Sequence, residues 1–309
     1  MDNYRWDIPR DCSMAYLLFR QHHIQFNNMY WAYLYGTATL GREAKKAKGI
    51  FESPSEYLVN LKGPNVNYSA VSCWDNWWKY FEDFEGLTRI NLLLDANSYF
   101  EVYLRNIYCL AMESRPDVLL DRATIIDGFK LYKTQKHYRY SYKHDKTYLF
   151  IDNLLKLTKG DWHSRLEAFE KIFGNCPDTL KGNCDQLNEI RKIRNDVGHF
   201  FGRDKKSDDG AIRVKLDKMT QLKDDRLKKL LNVIYTSAGS IDKMLFPEFV
   251  GSYESVMFCL QCAEKNHIGL SKNRIGDIVG LARQEMGEGG YPIGREYLTK
   301  ALEYFLTNS

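Results

Sequence analysis

The sequence predicts an all-α fold, a helical bundle with helical extensions on its N- and C-terminal sides. Three observations predict it. Apolar residues recur at helical spacing in most segments, convincing period-2 alternation is scarce, and Pro116, the run Gly174-Asn175-Cys176-Pro177 and Pro247 fall between the periodic stretches rather than inside them. There is no internal repeat.

In order along the chain, a first helix is expected over 14–35, followed by a looser region holding Gly49, Pro54, Gly63 and Pro64. Trp74, Trp77, Trp78 and Phe81 stand at i, i+3, i+4 and i+7, which makes one apolar helix face and reads as a core stripe or an interdomain contact. The strongest helix is expected over 87–112, where Leu93, Ala96, Phe100, Leu104 and Ile107 build the apolar face and Glu101 and Arg105 sit at i, i+4. Further helices are expected over 121–132, 145–159, 162–173, 184–201 and 224–245, with Pro247 stopping the last. The tail reads as three shorter helices, 252–265, 273–286 and 293–306. The expected organisation is a helical N-terminal region (1–84), a bundle (85–248) and a helical C-terminal region (249–309).

Composition narrows the class. Of 309 residues, 44% are apolar and 27% charged, ordinary for a chain that buries a core. The net charge of +4 permits an anionic partner without demanding one. No apolar run approaches the roughly 18 residues of a membrane span, so no membrane partner is expected. The first twelve residues are polar and read as no targeting leader. The seven cysteines are odd in number and scattered, as expected of reduced thiols in a cytoplasmic protein. Cys259-Leu260-Gln261-Cys262 with His267 gives half of a zinc site, but no second CxxC follows, so these read as buried thiols. Residues 287–294 are glycine-rich without a GK[ST], a turn rather than a phosphate loop. No cofactor is expected.

Chemistry concentrates in Arg194-Asn195-Asp196-Val197-Gly198-His199. Leu187, Ile190, Ile193 and Val197 mark the inward face of this helix. Asn195 and His199, four apart, share the opposite side. Arg194 precedes His199 by five residues, an offset of about 140° at about 100° per residue, which a long guanidinium arm can bridge. A planar fork for phosphate oxygens then stands near a group that titrates close to neutrality. Cleavage of RNA through its own 2′-OH needs a base, an acid and a cation for the phosphorane, and no metal.

A second candidate is the segment 130–146, with six Lys/Arg against one Asp. Lys130, Lys133, Lys136, His137, Arg139 and Lys143 can track a phosphate backbone, while Tyr138 and Tyr140 can stack on bases. A further basic path is offered by Lys223, Arg226, Lys228 and Lys229.

The run Glu189-Ile190-Arg191-Lys192-Ile193-Arg194-Asn195-Asp196-Val197-Gly198-His199 resembles the R-x4–6-H signature of the HEPN superfamily, with a polar residue directly after the Arg. The stretch Ser98-Tyr99-Phe100-Glu101-Val102-Tyr103-Leu104, about 90 residues earlier, is similar to the first helix of that family. The resemblance covers about 160 residues. It implies a four- or five-helix bundle that forms a homodimer, in which two motifs meet as one composite ribonuclease site acting on RNA. It further implies a toxin or antiviral effector, held in check or triggered by an inhibitory or sensor partner protein. Carried over to this chain, Arg194 and His199 are catalytic, Asn195 supports them, and Glu101 holds Arg194. The alternative is a non-catalytic helical module that dimerises or binds a partner or nucleotide.

Overall fold

Helices account for all regular structure among the described residues of the computed structural model, which are 8–62, 73–119, 127–134, 150–200 and 221–308, with the side chains of 60–62, 134, 199, 200 and 308 excepted. They are α1 (Met14–Lys48), α2 (Pro54–Lys62), α3 (Trp74–Ser114), α4 (Gly128–Thr134), α5 (Ile151–Thr158), α6 (Trp162–Phe173), α7 (Asp178–Gly182), α8 (Cys184–Phe200), α9 (Asp224–Leu245), α10 (Tyr253–Lys265), α11 (Ile275–Glu288) and α12 (Arg295–Asn308).

Several elements differ from the sequence expectation, each for a local reason. The Trp stripe and the strongest helix are one continuous helix, α3, of 41 residues. Helix α1 runs past Tyr35 to Lys48, its last two turns (42–48) made of strong helix formers, and its Ala44 and Ala47 are buried with Trp74. Helix α2 occupies the region expected to be looser. Pro54 takes its first position, Ser53 Oγ caps the helix by accepting the Glu56 N–H at 3.2 Å, and the Glu56 carboxylate accepts the N–H of Glu52, just before the cap, at 3.0 Å. Pro247 does not end the helical path after α9. It lies inside a π-helical turn, Phe246–Val250, closed by the Gly251 N–H on the Phe246 carbonyl at 2.9 Å. Of the expected helices over 121–132 and 145–159, the parts at 121–126 and 145–149 lie outside the described residues.

The chain divides into two compact units. The first comprises 1–21, 99–188 and 233–309; the second comprises 22–98 and 189–232. In the first, Phe100 stacks on Trp162 with ring centroids 5.8 Å apart, and the buried Tyr103 hydroxyl donates to the Ala238 carbonyl at 3.0 Å. Helix α6 is bounded by sequence-encoded caps: Asp161 accepts the Ser164 N–H at 3.0 Å, and Gly174 closes the helix at φ 83°. Helices α10 to α12 form a core of Tyr253, Met257, Ile278, Leu302 and Phe305, which Phe129 of α4 joins. A Cβ on Gly128 would overlap the Glu113 carbonyl oxygen, so only glycine lets α4 approach α3 this closely.

In the second unit, Trp74 is buried with Ala44 and Ala47, and its indole N–H donates to the Phe51 carbonyl at 3.1 Å. Trp77 stacks on Phe81 with centroids 5.4 Å apart. Of the stripe, Trp74 is buried, while Trp77, Trp78 and Phe81 are half-buried. Around α9, Arg89 donates to the Leu222 carbonyl at 3.2 Å and to Glu85 at 3.0 Å, Gln221 donates to Asp83 at 2.8 Å, and the Tyr30 hydroxyl donates to Asp224.

Candidate functional site

Helix α8 carries the R-x4-H motif, and its two ends are fixed differently. At its start, the Asn183 side-chain amide donates to Thr236 Oγ1 at 3.1 Å and Ser237 Oγ at 3.0 Å, both on α9. Asn188 accepts the Trp162 N–H at 2.9 Å and lies 3.1 Å from His163 Nδ1. In the second unit, Arg226 of α9 grips Glu189 through Nε at 2.9 Å and through a second bond from its Nη2. This bidentate, partly exposed pair holds the α8 backbone one turn before the motif.

The inward stripe behaves as its spacing predicts. Leu187 and Ile190 are buried, and Ile193 and Val197 are half-buried. Arg194 and Asn195 are exposed, and Asp196 is half-buried. The helix continues without a break through Gly198 to Phe200, and a Cβ on Gly198 would meet nothing within 4 Å. Five residues of helix put the His199 Cα about 7.5 Å along the axis from that of Arg194. The His199 side chain lies outside the described residues.

Glu101 belongs to the first unit and Arg194 to the second. Glu101 is half-buried and lines a cavity of about 120 Å³ together with Arg105, Arg165 and Lys159. Arg165 is itself buried, with its guanidinium 4.8 Å from the centre of the Trp162 ring.

Of the basic segment, Lys130 and Lys133 stand on α4, while Lys136, His137, Tyr138, Arg139, Tyr140 and Lys143 lie outside the described residues. Lys130 is exposed. The Lys133 ammonium sits 4.9 Å from the centre of the Phe305 ring, a cation–π contact that already occupies it. On the other basic path, Arg226 is paired with Glu189, and Lys228 with Asp224 at 2.7 Å.

Sequence reasoning missed a basic groove of about 920 Å³ in the first unit, lined by Lys156 and Lys159 from the end of α5 and Lys171 from α6. The residues come from separated segments, and only the i, i+3, i+7 spacing of Ser164, Glu167 and Lys171 along α6 hints at a shared face.

Cys259 and Cys262 are buried on α10, and burial pushes their thiols up to about 12 and about 11. Burial likewise raises Cys176 to about 11 and raises Cys184. Cys12 is half-buried, and Cys73 is the one exposed cysteine. Among the described residues no three His, Cys, Asp or Glu side chains group so as to hold a metal ion. No described helix is long and apolar enough to cross a membrane. The chain matches no protein-family model, no curated protein and no solved structure.

Proposed function

We propose that this chain is a HEPN-type ribonuclease that cleaves RNA by transesterification through the 2′-OH, without a metal. The observation that carries the reading is the presentation of the motif: Arg194 and Asn195 are exposed on a helix whose inward face carries the buried Leu187 and Ile190 and the half-buried Ile193 and Val197, and whose backbone is braced by Asn183 and by the Glu189–Arg226 pair. Arg194 clamps the scissile phosphate bidentately and stabilises the charge that develops on it. His199 moves protons, taking one from the 2′-OH or giving one to the 5′-oxygen, and Asn195 orients the pair by hydrogen bonding. One imidazole cannot serve as acid and base in the same step. A twofold dimer that apposes two motifs supplies both, and makes the site a property of the pair of chains.

The reading includes a regulating partner protein, since a cytoplasmic ribonuclease of this kind must be restrained until triggered, and a role as a toxin or antiviral effector. The test is incubation of the purified chain with single-stranded RNA in EDTA. Cleavage leaving 2′,3′-cyclic phosphate ends is expected. An intact substrate at high protein concentration would overturn the assignment and favour a non-catalytic helical module.

A further inference from the structure

The groove between α5, α6 and the short 3-10 turn Pro116–Leu119 has an unusual charge balance. Lys156, Lys159 and Lys171 line it against a single carboxylate, Glu167. None of the three lysines makes a side-chain hydrogen bond or an ion pair among the described residues. All three side chains are exposed. Beneath them Val118 and Ile172 are buried and give the groove an apolar floor. Lys156 and Lys171 stand in the last turns of their helices and Lys159 just after α5, where the carbonyl dipole attracts a cation. That dipole is worth about half a charge per helix and fades within a turn, so the groove keeps a positive balance.

We propose that this groove binds the phosphodiester backbone of a single RNA strand, the three lysines contacting successive phosphates while sugars and bases pass over the apolar floor. The volume, about 920 Å³, suits a short stretch of chain rather than one small ion. Lysine is a point charge with rotatable donors, suited to tracking phosphates without reading sequence. The choice of RNA as ligand rests on the ribonuclease reading; the groove and its charge do not.

The experiment is fluorescence anisotropy of a labelled 2′-O-methyl oligoribonucleotide, which cannot be cleaved, across a salt series. Wild type is compared with the triple variants Lys156→Gln/Lys159→Gln/Lys171→Gln and Lys156→Arg/Lys159→Arg/Lys171→Arg, with circular dichroism as a check on folding. Neutralisation should raise Kd about tenfold at low salt and reduce the log–log salt slope by about 2, at about 0.7 for each phosphate that a lysine no longer neutralises. The arginine variant should bind like wild type. An unchanged slope in the glutamine variant overturns the proposal, and cleavage of ordinary RNA by that same variant would show the ribonuclease reading still standing. Groove-dependent binding without cleavage of ordinary RNA supports the groove and overturns the ribonuclease reading. Binding of inorganic pyrophosphate alone, with no strand bound, would overturn the strand in favour of a small-anion site.

Discussion

Glu254 of α10 accepts the backbone N–H of Met14 through both carboxylate oxygens, at 2.9 and 3.1 Å, while Asp242 of α9 accepts the Ser13 N–H at 3.1 Å and the Ser13 hydroxyl. Two buried acids thus meet the free amides at the start of α1, where negative charge is favoured. Burial outweighs that help. It raises Glu254 from 4.5 to about 8 and Asp242 from 3.8 to about 6; the Asp242 charge adds to the rise of Glu254, and Arg10 opposes it. An acid whose folded value lies above its unfolded one stabilises the fold while protonated, and that stability is lost as pH rises through the folded value. The melting temperature should therefore fall as pH rises from about 4 to about 8, and Glu254→Gln, which keeps an acceptor for Met14, should flatten the upper part of the profile, between about 6 and 8. A Glu254→Gln profile that tracks wild type would rule this out.

Arg194→Ala and His199→Ala should each abolish RNA cleavage with little loss of stability. Arg194 is exposed, and exposed substitutions typically shift stability by about 0.5 kcal/mol or less. Activity is read on a labelled RNA and stability by urea unfolding. Mixing wild type with His199→Ala under subunit exchange should depress activity below simple dilution, because a mixed dimer carries one imidazole. Strict proportionality to the wild-type fraction would count against the composite site.

The Glu189–Arg226 pair is bidentate, yet its side chains remain about a third exposed, at 33% and 36%. Solvent screens such a pair, and a double-mutant cycle with Glu189→Gln and Arg226→Gln should give a coupling of about 1 kcal/mol or less that shrinks with salt. If the pair positions the motif, Arg226→Gln lowers kcat more than stability. Unchanged kcat would reduce the pair to a surface contact.

Two glycines should respond in opposite directions to alanine. At Gly198 a Cβ meets open space inside a continuous helix, so Gly198→Ala should add about 0.5–1 kcal/mol. At Gly128 the Cβ would run into the backbone of Glu113 and Ser114, and Gly128→Ala should cost about 1–3 kcal/mol. Chemical denaturation of the two variants measures both.

The sequence revealed elements whose ends carry their own chemistry. Asp161 and Gly174 bound α6, and the observed limits, Trp162–Phe173, are those that the pattern predicts. Helix α2 was equally encoded, in Ser53-Pro54-Ser55-Glu56, but its proline read as a breaker although it stands at the first helical position. The continuity of α3 was hidden because 82–86 carries three acids around the single Phe84 and ends in glycine, a pattern shared by a loop and by a helix stretch without an apolar face. At Gly86 the missing Cβ leaves room for the Gln221 side chain, a partner 135 positions further along that no local window contains. In the candidate site, the exposure of Arg194 and Asn195 followed from the inward stripe of α8. The lysine groove did not, since three separate segments must come together before it exists.

The distribution of thiols gives the chain a built-in order of chemical reaction. Cys73 is exposed, Cys12 is half-buried, and the other five are buried. An alkylating dye therefore meets Cys73 first, and a limited dose marks one place per chain without any engineering. Chains tagged separately with donor and acceptor dyes and then mixed would report, by energy transfer, whether two copies associate and how fast they exchange. Cys73 thus makes the pairing of copies measurable before any RNA substrate is known.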